Sequence, residues 1–132
     1  MKSSWKTWPT VMRAALGVEK WAAMQVEQPI NIMTLCSGTD SPVFALKQLI
    51  QARNVRHVAT YETSAAARTF IINNHCPEHL FGDVEELRSE PWATECFLHD
   101  GAACCIDSEG MDICVGGFPC KLFSTQNVQR FR

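Results

Sequence analysis

The stretch INIMTLCSGTDSP, residues 30 to 42, decides the fold. Its first seven residues form an apolar run rich in branched side chains, bounded by Pro29 and a turn, which is the signature of a short buried strand. Ser37-Gly38-Thr39-Asp40-Ser41 then reads as a turn. Pro42, preorganised for the first position of a helix and preceded by Ser41 as its N-cap, starts the next element. Val43, Leu46, Leu49 and Ile50 recur at helical spacing and are expected to face the sheet. Strand, glycine turn and helix make the first half of a unit whose repetition builds a parallel sheet.

The repetition follows. HVATYE, residues 57 to 62, reads as a second strand, SAAARTFIINNH, 64 to 75, as a second helix, and HLFGDV, 79 to 84, as a third short strand running into a turn. A weaker helix is expected over Pro91 to His99, an exposed loop over LHDGAACCIDSEG, 98 to 110, and a fourth strand over MDICVGG, 111 to 117. No internal repeat or low-complexity tract interrupts the alternation. The fold class is therefore α/β with a parallel sheet. Residues 1 to 29 are set apart as an N-terminal extension with one helix, roughly Thr10 to Gln25. There Val11, Ala14, Ala15, Val18, Trp21 and Ala22 make a packing stripe, and Trp5 and Trp8 cap a small core.

Composition excludes several classes. With 132 residues, 46% hydrophobic and 20% charged, the chain has the balance of a soluble globular domain. A net charge of -2 and the lack of a basic patch supply no general attraction to phosphates, so nucleic-acid binding would need segments outside this sequence. The N-terminus lacks the apolar core of a signal peptide and no run is long enough to span a membrane, so a nuclear or cytoplasmic protein with no membrane partner is expected. Seven cysteines, Cys36, Cys76, Cys96, Cys104, Cys105, Cys114 and Cys120, form an odd set without the regular spacing of a disulfide framework, so reduced thiols are expected. Cys96, His99, Cys104 and Cys105 lie close together, but structural zinc sites pair two ligand pairs across a longer gap, and the spacing argues for small buried hydrophobes rather than a metal.

In a parallel α/β sheet, ligands sit at the carboxyl ends of the strands, so the residues just after each strand carry the function. Gly38 in its turn lets backbone approach a ligand at a helix N-terminus. Glu62 ends the second strand at close to the spacing from Gly38 at which an acid accepts hydrogen bonds from a ribose. A solvated surface glutamate is the plainer alternative, but apolar and aromatic residues precede it. Asp83 holds the same position after the third strand, where it could take an amino proton from adenine or simply end a turn. The two acids together suggest an adenosine-containing cofactor. Cys120 follows the fourth strand in GGFPC, with Pro119 stiffening the turn, and a thiolate there would be a strong nucleophile near neutral pH. Cys114, within the strand, reads as structural.

At this point the chain resembles the cytosine-C5 DNA methyltransferases. LCSGTDSP looks like their first cofactor motif, Tyr61-Glu62 like the acidic end of the second, Gly82-Asp83-Val84 like the third, and GGFPCKLFS like the nucleophile motif, in order over roughly residues 30 to 127. The resemblance implies a Rossmann-like S-adenosylmethionine-dependent methyltransferase fold with a partial parallel sheet. Residues 30 to 132 would be the N-terminal part of the catalytic domain, truncated after the nucleophile loop. It implies S-adenosyl-L-methionine as cofactor, held by Ser37, Gly38, Thr39, Asp40, Glu62, Thr63, Asp83, Val84 and Pro119, and Cys120 as the catalytic residue that attacks C6 of a cytosine flipped from DNA. Transfer RNA is the alternative substrate.

Several positions depart from the family pattern. Cys36 stands where an aromatic residue would stack on adenine, Asp40 and Ser41 replace glycines, Lys121 replaces glutamine and Asn127 a glycine. The glutamate of a Glu-Asn-Val motif, which binds N3 of the cytosine, has no counterpart here, nor do the Arg-x-Arg motif and the target-recognition domain. The chain is therefore expected to be inactive alone and to need a complementing C-terminal chain. Two further readings stand beside this one: a non-catalytic cofactor-binding remnant, and a thiol-dependent redox or acyl-transfer protein, which the absence of Cys-x-x-Cys disfavours.

Overall fold

The computed structural model describes residues 14–15, 28–36, 38–50, 52–88, 93–107 and 109–118. Six strands and two α-helices lie between residues 30 and 116: β1 (Ile30–Leu35), α1 (Ser41–Leu49), β2 (Val55–Tyr61), α2 (Ala65–Asn74), β3 (His79–Phe81), β4 (Ala93–Glu95), β5 (Ala103–Cys105) and β6 (Ile113–Gly116). Short 3-10 turns occupy Ala52–Asn54 and Val84–Arg88. Four strands form a parallel sheet in the order β3-β2-β1-β6, and β4 and β5 pair antiparallel as a separate hairpin.

The four expected strands are all present, each within two residues at its start and one to three at its end. Two expectations are corrected. The segment expected to be helical from Pro91 to His99 contains β4 and then a turn, and the expected loop from 98 to 110 contains β5. These strands are three residues long and poor in branched side chains, so their own sequence specifies them weakly. Tertiary packing explains them: Cys96 and Ile106, at either end of the hairpin, are buried in one core cluster with Met33, Val58, Ala59, Tyr61 and Phe81. In the segment expected to be an N-terminal extension, Ala14 and Ala15 are helical and exposed; the rest of the expected helix, with Trp5 and Trp8, lies outside the described residues.

The period-two alternation of β1 divides the core. Ile32 points to one face, where it meets Val43 of α1 and Val55, with Leu46 and Ile50 packed around them. Met33 points to the other face, under the hairpin. Val43, Leu46 and Ile50 of the expected apolar stripe thus lie on the sheet, while Leu49 is half-buried and outside that cluster. That helix starts one residue earlier than expected: its N-cap is Asp40, in the left-handed region at φ 54, and Pro42 stands in the first turn. Ser64 caps α2 by accepting the Ala67 N–H at 3.4 Å, as Ser-x-x patterns at helix starts favour.

Topology defines a candidate ligand edge. The chain runs outward from β1 to β2 to β3, then returns to the other flank of β1 as β6, so the strand order reverses at β1. Leu35 is in register with Tyr61 and with Gly116, and Tyr61 with Phe81. All four carboxyl ends are therefore level at one edge of the sheet. A crevice outside that edge, at the reversal point, is where open α/β sheets bind ligands. Among the described residues no helix is long and apolar enough to cross a membrane.

Candidate active site

The turn after β1 begins with Cys36, whose N–H donates to the Tyr61 carbonyl at 2.8 Å and so ties it to the end of β2. Gly38 follows at φ +64, a conformation that glycine adopts without the steric penalty of a side chain. A Cβ built on Gly38 meets nothing within 4 Å, so the space beside this turn is open.

Glu62 organises the edge. It is 8% exposed. Oε2 accepts the Gly38 N–H at 3.0 Å and Oε1 accepts the Ser64 N–H at 2.8 Å, so one carboxylate joins the turn after β1 to the start of α2. Its own N–H donates to the Phe81 carbonyl at 3.1 Å, which fastens the ends of β2 and β3 together. A carboxylate offers about four acceptor sites, and two are used here, so the group retains capacity for a hydroxyl pair.

Arg68, which the sequence reading did not single out, braces this position. Its guanidinium donates to the Glu62 carbonyl at 3.0 Å and to the Thr63 carbonyl at 2.6 Å, and it lies 4.3 Å from the centroid of the Phe97 ring. The available signal was its place in the first turn of α2, six residues after Glu62. An arginine there can reach back to carbonyls that the strand end leaves open.

Asp83 is exposed in the turn after β3, where Oδ1 accepts the Glu85 N–H at 2.9 Å. Burial, Glu62 and Asp83, in that order, push the Cys36 thiol above its ordinary value, so the two carboxylates and this thiol share one electrostatic neighbourhood. Cys36 is thereby held as a neutral thiol, unsuited to nucleophilic attack. Val84 opens the following 3-10 turn and packs partly buried against the core below. Thr63 is exposed and presents its carbonyl to Arg68; Thr39 is exposed, its hydroxyl 3.0 Å from that of Ser41 and its carbonyl 2.9 Å from His75 Nε2.

Asp40 sits elsewhere than the sequence reading placed it. Its side chain is fully buried and points into the sheet, accepting from Thr34 Oγ1 at 2.6 Å and Thr60 Oγ1 at 2.9 Å. His57 Nε2 lies 2.7 Å from Thr60 Oγ1 and 3.6 Å from Asp40 Oδ2. The left-handed backbone at Asp40 turns the carboxylate inward, so this residue shapes the turn from below and does not face the crevice with its charge.

Gly117 N–H donates to the Leu35 carbonyl at 2.8 Å, carrying the chain past β6 at the same edge. The Phe118 ring lies over Gly116, close enough to leave no room for a Cβ there without moving. Ser37, Pro119 and Cys120 lie outside the described residues. The structure therefore brings Gly38, Glu62 and Asp83 together and leads the chain toward Cys120 from the neighbouring strand end.

No protein-family model matches the chain. Among curated proteins, the DNA (cytosine-5-)-methyltransferase DMT5 of Cryptococcus neoformans var. grubii serotype A is 30% identical over 111 residues, covering 76% of this chain. The match covers only 4% of that protein's length. The chain is a distant and partial homologue of a DNA cytosine-5 methyltransferase, and the resemblance read from the four motifs is borne out to that extent.

Proposed function

We propose that residues 30 to 132 are the N-terminal part of a cytosine-C5 methyltransferase catalytic domain of Rossmann-like fold, preceded by an extension over residues 1 to 29. Its cofactor is S-adenosyl-L-methionine and its nucleophile Cys120. The observation that carries this reading is the level register of the strand ends, which gathers the Gly38 turn, Glu62 and Asp83 at one edge in the order of the family's motifs. DNA is the favoured substrate because the relative is described as acting on it.

The residues present fit the cofactor. Glu62, held by two backbone N–H groups and still able to accept, suits a ribose diol; Gly38 leaves open space beside it; Asp83 keeps an exposed carboxylate for an amino group. Ser37, Thr39, Thr63, Val84 and Pro119 complete the cofactor set by their motif positions, Asp40 through its backbone. When bound, the cofactor supplies an activated methyl group. The Cys120 thiolate adds to C6 of the cytosine, the displaced electron pair makes C5 nucleophilic, and after methylation loss of the C5 proton expels the thiolate and restores the ring. Extrusion of the base from the helix is required for sulfur to reach C6. A positioned acid at N3 neutralises the ring charge that builds during attack, and such assistance is worth about 10²–10⁴ in rate. Neither that acid nor the recognition elements have a counterpart among these 132 residues, so full activity would require them to be added.

Methyl transfer from labelled cofactor to DNA and to transfer RNA tests this. The 132-residue chain alone is expected to give no turnover; adding a C-terminal segment with the Glu-Asn-Val glutamate and recognition domain restores transfer, and Cys120→Ser abolishes it. Rescued transfer that survives Cys120→Ser would overturn the assignment of the nucleophile. Rescue on transfer RNA with none on DNA would overturn the substrate.

A further inference from the structure

The spacing of Cys96, His99 and Cys104 alone argues against a metal, but the fold adds a ligand that spacing could not reveal. His79, at the start of β3, lies beside the turn of the β4–β5 hairpin. One ligand atom from each of His79, Cys96, His99 and Cys104 lies within 4.8 Å of every other. His99 Nδ1 is 3.2 Å from Cys96 Sγ and 3.2 Å from Cys104 Sγ, and the His79 and His99 rings are 5.1 Å apart between centroids. Bond lengths of about 2.3 Å to sulfur and 2.0–2.1 Å to nitrogen put the edges of a tetrahedral zinc site at about 3.3–3.8 Å. The two edges of 3.2 Å fall just short of that range, and the widest, at up to 4.8 Å, needs a contraction of about 1 Å or somewhat more, within the reach of side-chain rotation.

From this geometry we infer that His79, Cys96, His99 and Cys104 bind a structural zinc ion. Two thiolates and two neutral imidazoles give a closed four-coordinate set with zero net charge and no open position for chemistry. Three independent features support it. His79 Nδ1 is buried without a hydrogen-bond partner among the described residues, an unexplained cost if it serves no ligand. The Leu80 N–H donates to Cys96 Sγ at 3.4 Å, the kind of outer contact that steadies a metal-bound thiolate. The loop between Cys96 and Cys104 is a tight knuckle: the Cys96 carbonyl accepts from both His99 and Gly101 N–H, and Asp100 and Gly101 take left-handed conformations. Cys105, next in sequence, is exposed on the opposite face of β5 and outside the cluster.

The ion would pin the hairpin to β3, the edge strand of the sheet, where a hydrogen bond of 2.8 Å from Phe97 N–H to the Leu80 carbonyl already docks it. Two three-residue strands have little stability of their own, and a metal cross-link across the edge would hold them and cover it.

The test uses the full chain purified under reducing conditions. Elemental analysis should find one zinc per chain, and cobalt(II) should give the intense visible absorption of a tetrahedral site with thiolate ligands. His99→Ala and Cys104→Ser, both at accessible positions, should each lower affinity by more than the about 10–100-fold that loss of an outer contact costs, and His79→Ala should do the same. Cys105→Ser and Cys76→Ser should bind as wild type. Circular dichroism of each variant with and without zinc keeps folding separate from binding. Wild-type chain that is folded but takes up no zinc, an octahedral cobalt spectrum, or equal affinity in Cys104→Ser and Cys105→Ser would overturn the site.

Discussion

Acidification should destabilise this domain through one buried histidine. His57 is 5% exposed, and burial is the main cause that lowers its pKa from 6.5 to about 4, with Lys47 and His75 acting in the same direction. Asp40 and Glu78 oppose the shift but do not overcome it. The hydrogen-bond network explains why the neutral ring fits. Nε2–H donates to Thr60 Oγ1, Thr60 donates to Asp40 Oδ2 and Thr34 donates to Asp40 Oδ1, so every proton of the chain has an acceptor. A second proton on Nδ1 would be buried with no partner among the described residues. Because the folded pKa lies below the unfolded one, protonation favours the unfolded chain. The stability is whole above pH 6.5, falls between about 6.5 and 4, and falls no further from this source below that. The gap of 2.5 units, at about 1.36 kcal/mol each, is worth about 3 kcal/mol. Small domains have only about 5–15 kcal/mol in total. Urea unfolding of wild type and His57→Gln across that range isolates the contribution, since other groups titrate alike in both. The wild type should lose about 3 kcal/mol relative to the variant on going from pH 7.5 to 4. Parallel pH profiles would refute the reasoning.

Two further predictions concern the carboxyl edge. The Tyr61 hydroxyl is buried without a partner among the described residues, while its ring stacks on Phe81 at 4.8 Å, so Tyr61→Phe should leave stability unchanged or raise it by up to about 1–3 kcal/mol; a clear loss in urea unfolding would mean that the hydroxyl is bonded. Gly38→Ala should cost about 1–2 kcal/mol in the same assay through its left-handed backbone alone, because its Cβ would meet nothing, and no cost would mean that the turn relaxes to another conformation.

The parallel sheet was legible because its strands are apolar runs closed by turn residues, and because Pro42 and Ser64 mark where helices begin. The hairpin was not, since Ala93-Thr94-Glu95 and Ala103-Cys104-Cys105 carry no strand pattern and are strands only because Cys96 and Ile106 enter the core. Of the candidate site residues, Glu62 could be placed from its position at a strand end. The inward turn of Asp40 could not, because it depends on Thr34, Thr60 and His57 meeting across two strands. His79 escaped notice as a ligand for a related reason: it is remote in sequence from Cys96, and only the docking of Phe97 on Leu80 brings the two together. Arg68 was harder to see because its partners are backbone carbonyls, and only its place in the first turn of α2 points to them.

The account rests on the carboxyl edge being a cofactor site organised by Glu62, and calorimetric titration of S-adenosyl-L-methionine into the chain tests that most directly. Wild type should bind weakly, since Cys36 provides no stacking surface for adenine. Glu62→Gln, which keeps the shape but loses the charge that a ribose diol prefers, should weaken binding by about tenfold or more, the equivalent of one charge-assisted hydrogen bond. A thermal melt of the variant in the absence of cofactor confirms that it is folded. Loss of binding in folded Glu62→Gln is the predicted result. Equal binding by the two proteins, or no binding by wild type even with the complementing segment present, would contradict the account.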